Sequence, residues 1–208
     1  MSDLPDPEKM TPRQRERRRR IIDAAIDLVL KASENVEIRD IVDAADVSLA
    51  TLYRYFGSKE VLFAEVYVHW RQATHAKVAA AIASGSTDSE RLRMGTRSFI
   101  EAYRPAPRMW DLSTQTRLSH DPEITKLRKG NEGGTFALFR DAMHQTPEED
   151  AAGIVVVLMA VAASHMDQWR GGDLTLDEVH EAMDRAIWLT VGIREAHRDT
   201  LRHALPSG

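Results

Sequence analysis

The apolar positions of this chain recur at three- and four-residue intervals from the first arginines to the last helix, and no segment alternates as a strand would. Ile22, Ala25, Ile26, Val29 and Leu30 follow an i, i+3, i+4, i+7, i+8 series. A first helix is therefore expected from Thr11, with Pro12 at its opening position. Ile41, Val42 and Ala45 give one apolar face to a short second helix, Val47 follows a turn, and Leu52 and Phe56 stand four apart on a third. Ser48 suits the N-cap of that third helix, and Asp46 occupies the turn, where Asp tolerates positive φ better than most residues. Leu49, Ala50, Thr51, Tyr53, Arg54 and Tyr55 are left mostly off the core face. Two short helices around a tight turn make a helix-turn-helix pattern, whose second helix lies in the DNA major groove while the first crosses the backbone.

Downstream, Ser58 caps a long helix expected to reach about Ala83, with Val61, Leu62, Val66, His69 and Trp70 on or near its buried side and Gly85 at its stop. Thr87 and Glu90 form a capping box that opens a helix to about Tyr103, which Pro105 and Pro107 break. A short helical piece with Met109, Trp110 and Leu112 follows. Asp121 and Pro122 start another helix that reaches about Gln145, weakened by Gly130, Gly133 and Gly134. Thr146, Pro147 and Glu149 combine cap, first-position proline and capping-box glutamate, and that helix should end at Gly171 and Gly172. Thr175 and Glu178 open the last helix, whose stripe is Val179, Ala182, Met183, Ala186, Ile187 and Val191. The sum is an all-α fold of about nine helices: a disordered lead over 1–10, a three-helix helix-turn-helix domain over 11–57, and a C-terminal helical domain over 58–208 joined by the 58–83 helix.

Charge sharpens this division. The 208 residues carry a net charge of −4, unlike a protein that coats nucleic acid, yet Arg13 to Arg20 hold six arginines against one glutamate. Arginine at a helix start opposes the helix dipole, so phosphate contact accounts for the run, Arg17 and Arg18 included, better than a structural role does. Glu34, Glu37, Asp40, Asp43 and Asp46 stand close by and are expected to point away from the duplex or to pair with basic neighbours. There is no cysteine, the longest apolar run, Ala151 to Ala163, has 13 residues, and the N-terminus lacks the pattern of a signal peptide. A cytoplasmic protein is expected, with no disulfide and no thiolate metal site. No nucleophile elbow, dinucleotide fingerprint or P-loop occurs, so no catalytic residues and no cofactor are assigned. Asp177 and His180 supply only half of a bundle-type metal site, so no metal is assigned.

The chemistry of the head divides by reach. Tyr53, Tyr55 and Lys59 have polar tips suited to phosphate oxygens, which position a domain without reading sequence. Arg39, Leu49, Ala50 and Thr51 are candidates for base edges, with Ser48 and Arg54 beside them. In the C-terminal part, Met94, Phe99, Tyr103, Met109, Trp110, Phe136, Phe139, Met143, His165, Met166 and Trp169 gather large apolar groups with a few polar tips. That is the composition of a small-molecule site and equally of an ordinary core. The helix over 147–170 is apolar around much of its circumference, so burial on both sides is expected; with the last helix it would form a four-helix dimer interface.

The segments IRDIVDAAD and VSLATLYRYFGSKEVLFAEV, with the core T-L-Y-x-Y-F-x-S-K-E-x-L, resemble the DNA-binding domain of the TetR family of bacterial transcriptional regulators from about Arg17 to Val66. Asp46 and Ala50 stand where that family often has glycine, and Val36 and Glu37 where paired threonines are common; these departures bear on single DNA contacts rather than on the fold. The resemblance implies a homodimer on a near-palindromic double-stranded operator, with half-sites about 34 to 36 Å apart or more. It further implies repression lifted when a small molecule enters the C-terminal domain, and DNA contacts at Arg39, Thr51, Tyr53, Tyr55 and Lys59. Tyr103, His165 and Trp169 are first choices for polar contacts to such an effector. ERRRRIIDAA followed by TLYRYF is also similar to actinobacterial regulators of steroid and lipid breakdown, which implies a bulky apolar effector, a coenzyme A thioester among the candidates. The competing reading is an all-α enzyme or small-molecule binding protein without sequence-specific DNA binding.

Overall fold

Helix-forming sequence gives ten α-helical segments and one π-helical turn among the described residues of a computed structural model, 9–31, 35–131 and 133–196. No strand occurs among the described residues. In chain order the helices are α1 (Pro12–Lys31), α2 (Ile38–Ala44), α3 (Leu49–Phe56), α4 (Lys59–Ala83) and α5 (Asp88–Glu101). They continue as α6 (Pro107–Leu118), α7 (Pro122–Asn131), α8 (Gly133–Asp141), α9 (Glu148–Gly171) and α10 (Leu176–Ile187), followed by the π-helical turn Trp188–Gly192. The chain divides into two compact units, Met1–Ala73 with Pro105–Glu132, and Thr74–Arg104 with Gly133–Gly208.

In the first unit, Ile21, Ile22, Ala25 and Val29 of α1 are buried together with Ile38, Ile41 and Val42 of α2, as the 3.6-residue period requires. Leu30, assigned to the same stripe, is 38% exposed. Met10, expected in a disordered lead, is buried, and its carbonyl accepts from Arg15 Nη1; residues 1–8 of that lead, and Glu34, lie outside the described residues. Pro107 opens α6 at its first turn, where a missing N–H costs nothing, and so does more than break the preceding helix. Asp121 caps α7 as expected, Oδ1 accepting from the N–H groups of Glu123 at 2.7 Å and Ile124 at 3.3 Å.

The second unit holds α5 and α8 to α10, with Leu92, Ile100, Phe139, Leu158, Val179 and Met183 fully or almost fully buried. Two of the three expected capping boxes form, Thr87 with Glu90 and Thr175 with Glu178. Thr146 does not cap α9. Pro147 takes the N-cap position without a side-chain bond, and the Thr146 hydroxyl donates instead to Asp88 Oδ2 at 2.8 Å. The helix expected to reach Gln145 ends at Asp141, and its described residues run over Pro122–Asn131 and Gly133–Asp141, with position 132 outside the described residues. Gly172 closes α9 at φ 88°, a left-handed conformation that glycine adopts without penalty. As a whole, α9 is long and apolar enough to cross a bilayer by length and composition, which its 13-residue apolar run did not convey; here one face packs on α8 and α10.

Candidate nucleic-acid interface

Local chemistry sets the geometry of the head. Asp46 takes φ 50°, the only positive φ of a non-glycine residue described, and the Val47 N–H bonds back to the Val42 carbonyl at 3.0 Å. The turn is thereby closed without glycine, which Asp permits. Ser48 then caps α3, its Oγ accepting from the Thr51 N–H at 3.2 Å while also sharing a hydrogen bond with the Thr51 hydroxyl at 2.9 Å. Leu52 and Phe56 lock the inner face at 0% exposure. Leu49 at 46% and Tyr53 at 40% exposure face outward, with Ala50 and Arg54 also exposed and Thr51 half-buried.

Two candidates are corrected by this geometry. Tyr55 is buried at 3% exposure, because positions 52, 55 and 56 fall on one helical stripe, and its ring meets that of Phe56 edge-on. It is a buried residue of the inner stripe, not one mostly off the core face, and the Arg54 guanidinium lies over its ring at 5.6 Å. Arg18 is half-buried: it pairs with Glu65 of α4, and its guanidinium lies 5.1 Å from the centre of the Phe56 ring. Burial pushes the Glu65 carboxyl up, and the Arg18 guanidinium works against that shift. The pair, 47 positions apart in sequence, fastens α1 to α4.

The other arginines remain outside. Arg13, Arg17 and Arg20 line one open groove of about 540 Å³ on α1 together with Glu16, which ties Arg19 at 3.1 Å. Arg39 is exposed on α2, one helical turn from the exposed Asp43, so the positive charge it offers a duplex is tempered locally. Lys59 is half-buried at the start of α4 with its Nζ 5.6 Å from the centre of the Phe63 ring. Ser58 accepts from the Val61 N–H at 3.1 Å and so orients this turn.

The candidate effector residues are divided between the two units. Met109 and Trp110 sit on α6 in the first unit, both buried, whereas Phe99, Tyr103, Phe136, Phe139, Met143, His165, Met166 and Trp169 belong to the second. Met94 is 42% exposed and receives a hydrogen bond from the Ser84 hydroxyl, which takes it out of the interior set. Phe99 stacks edge-on with Tyr103 at 5.4 Å and with Phe139 at 6.4 Å, a packed aromatic group with Phe139 1% exposed. Phe136 and Trp169 are half-buried, and Met143 and Met166 are buried. His165 is hydrogen-bonded within its own helix, Nδ1 lying 2.8 Å from the Val161 carbonyl oxygen. His180 meets Glu101 at 2.8 Å rather than Asp177, and no group able to hold a metal ion occurs among the described residues.

This head has a family counterpart. Residues 21–66 match the model for bacterial regulatory proteins of the tetR family. Over 185 residues the chain is 29% identical to the HTH-type transcriptional repressor KstR of Mycobacterium tuberculosis, covering 88% of this chain and 84% of the relative. It is 27% identical to the KstR of Rhodococcus jostii, covering 86% and 84%. Among solved structures, a TetR transcriptional regulator from Rhodococcus sp. RHA1 matches 86% of this chain and 97% of its own with a TM-score of 0.68 at 20% identity, a likeness of fold. A TetR-family regulator of Mesorhizobium loti does so over 88% and 98% with a TM-score of 0.64 at 16% identity. With motif and fold in agreement, residues 21–66 carry a DNA-binding domain of the TetR family of bacterial regulatory proteins, and the chain as a whole is similar to repressors and regulators that contain it.

Proposed function

We propose that this chain is a cytoplasmic transcriptional repressor that binds a near-palindromic operator as a homodimer and is released by a small, bulky, apolar effector. The observation that carries the DNA reading is α3 itself: its inner face is sealed by Leu52, Tyr55 and Phe56 while Leu49, Ala50, Tyr53 and Arg54 are left to solvent. Small apolar groups suit thymine methyls, and the Tyr53 hydroxyl and Lys59 ammonium suit phosphates. The relatives are named as repressors, which supports the direction of regulation. The functional boundary is put at residues 57 and 58, with α4 as connector between a DNA-binding head and an effector-binding, dimerising remainder.

Support for the dimer lies in what α9 and the end of the last helix leave uncovered. Val156 and Val157, and beyond α10 Trp188, Leu189 and Ile193, are 47–63% exposed, an apolar load that a single chain leaves in water. Effector action is read as a population shift: a ligand in the second unit favours an arrangement in which α4 alters the separation of the paired heads. The aromatic group Phe99, Tyr103 and Phe139 is where an apolar ligand would find matching walls. Enzyme chemistry is not part of this reading.

The test is selection of genomic fragments by the purified protein, followed by fluorescence anisotropy on the enriched sequence. Tyr53→Ala combined with Lys59→Ala should weaken that complex at least tenfold, a loss of about 1.4 kcal/mol or more, with folding unchanged. Absence of any enriched sequence would sink the repressor reading in favour of a binding protein without operator specificity.

A further inference from the structure

Within the first unit a cavity of about 150 Å³ lies among the end of α1, the segment before α2, the first turns of α4, and α6. Val29, Val36, Phe63 and Leu112 supply apolar walls. Lys59 and Arg108 supply two positive charges, and no carboxylate lines the space among the described residues. Arg108 is held in place: its Nη1 donates to Asp111 at 2.8 Å and its Nη2 donates to Asn35 Oδ1. With its side chain 22% exposed, it is a positioned and partly desolvated cation. Lys59 has no ion pair among the described residues; its ammonium lies over Phe63, another wall of the same space. A volume of 150 Å³ is the liquid share of about five waters at ~30 Å³ each, enough for a small organic molecule and too small for a fused-ring one.

We infer that this cavity binds a small organic monoanion, a carboxylate with a short apolar tail, with the carboxylate between Lys59 and Arg108 and the tail against Phe63 and Leu112. The two charges match one anionic head once Asp111 has offset part of Arg108, and an apolar wall rewards a tail that an inorganic anion lacks. Because Lys59 is also a proposed phosphate contact, a bound carboxylate competes for its ammonium and antagonises the operator complex. That consequence rests on the DNA reading above, whereas occupancy of the cavity does not. The site belongs to the first unit, and the aromatic group proposed for the effector belongs to the second.

The experiment is titration of the full-length protein, without DNA, with hexanoate and with hexan-1-ol as its uncharged counterpart, followed by calorimetry and by chemical shifts of the aromatic side chains. Saturable hexanoate binding is expected, with at least tenfold weaker binding in Leu112→Trp, which fills the cavity, and in Arg108→Gln. Hexan-1-ol should bind at least tenfold more weakly than hexanoate. Thermal melting checks each variant, and if Arg108→Gln fails to fold, Leu112→Trp, which keeps both cations, decides. No saturable hexanoate binding at millimolar concentration, binding unchanged by Leu112→Trp, or alcohol binding as tight as the acid would each overturn the site. If hexanoate binds the free protein but leaves an operator complex unaffected, the antagonism is overturned while the site stands.

Discussion

Around α3 the polar side chains face outward with little to hold them, whereas at the start of α5 every polar atom is spoken for. Tyr53 and Arg54 stand in solvent, and Ser48 spends one oxygen on a cap. Asp88, by contrast, is fully buried and accepts from Arg91, from the His144 and Gln145 N–H groups at 2.9 Å each, and from the Thr146 hydroxyl. Burial by itself would raise the Asp88 carboxyl, and these bonds pull it below its ordinary range instead. The Arg91 guanidinium is also tied to the carbonyls of Ala142 at 2.6 Å, Ser86 at 3.0 Å and Gly85 at 3.3 Å. Polar chemistry in the first place is left available to a partner; in the second it fastens the start of α5 to the segment between α8 and α9.

The sharpest way to break this contrast is Asp88→Ala. It leaves a buried guanidinium without its counter-charge and three donors without an acceptor, so a loss of ~3–5 kcal/mol is expected in urea denaturation. Substitution of Tyr53 and Lys59, partly or wholly in solvent, should leave the same midpoint unchanged. A loss below ~1 kcal/mol for Asp88→Ala would mean that the network is not what holds the second unit.

Next in size is Gly95→Ala on α5. A Cβ there would lie 2.5 Å from Ile82 Cγ1 and 2.8 Å from Phe139 Cε1, so the aromatic group must shift, at a cost of ~1–3 kcal/mol in thermal or chemical denaturation. Ser48→Ala comes below it, at ~1 kcal/mol for the lost cap. Its distinguishing readout is operator affinity, which should fall with the order of α3, whereas Gly95→Ala should leave DNA contacts in place.

What could be read from the sequence follows from how local each feature is. Caps and turns are written within four residues, so Ser48, Asp46 and the boxes at Thr87 and Thr175 are where their types and spacings put them. Tyr55 has a polar tip, yet its register with Leu52 and Phe56 is what sets its place on the inner face. Thr146 had the right neighbours for a cap, but a carboxylate 58 positions away takes its hydroxyl. The partnership of Arg18 with Glu65 and that of Arg91 with Ala142 are tertiary, and an arginine in a basic run carries no mark of which one will be drawn inward. Trp110 looked like its aromatic neighbours in composition, and only the fold assigns it to the other unit.

The smallest expected effect concerns the latch between α5 and α10. Glu101 accepts two bonds from Arg104, Nε at 2.7 Å and Nη2 at 2.8 Å, and lies 2.8 Å from His180 Nε2. The bonds from Arg104, and after them His180, lower the Glu101 carboxyl from 4.5 to about 2. A carboxylate depressed in the folded state contributes stability above its unfolded value and loses it as the pH falls through the folded one. The stability difference between the wild type and Glu101→Gln should therefore be constant near neutrality and shrink between pH 4.5 and about 2. Since Glu101 is 38% exposed and Arg104 55%, solvent screens the pair and the difference should stay below ~1 kcal/mol. Denaturation of both proteins across that window checks the sign. A gap that widens on acidification would show that Glu101 is not the stabilising partner, and that the second unit fastens α5 through Asp88 without help from the far end of the helix.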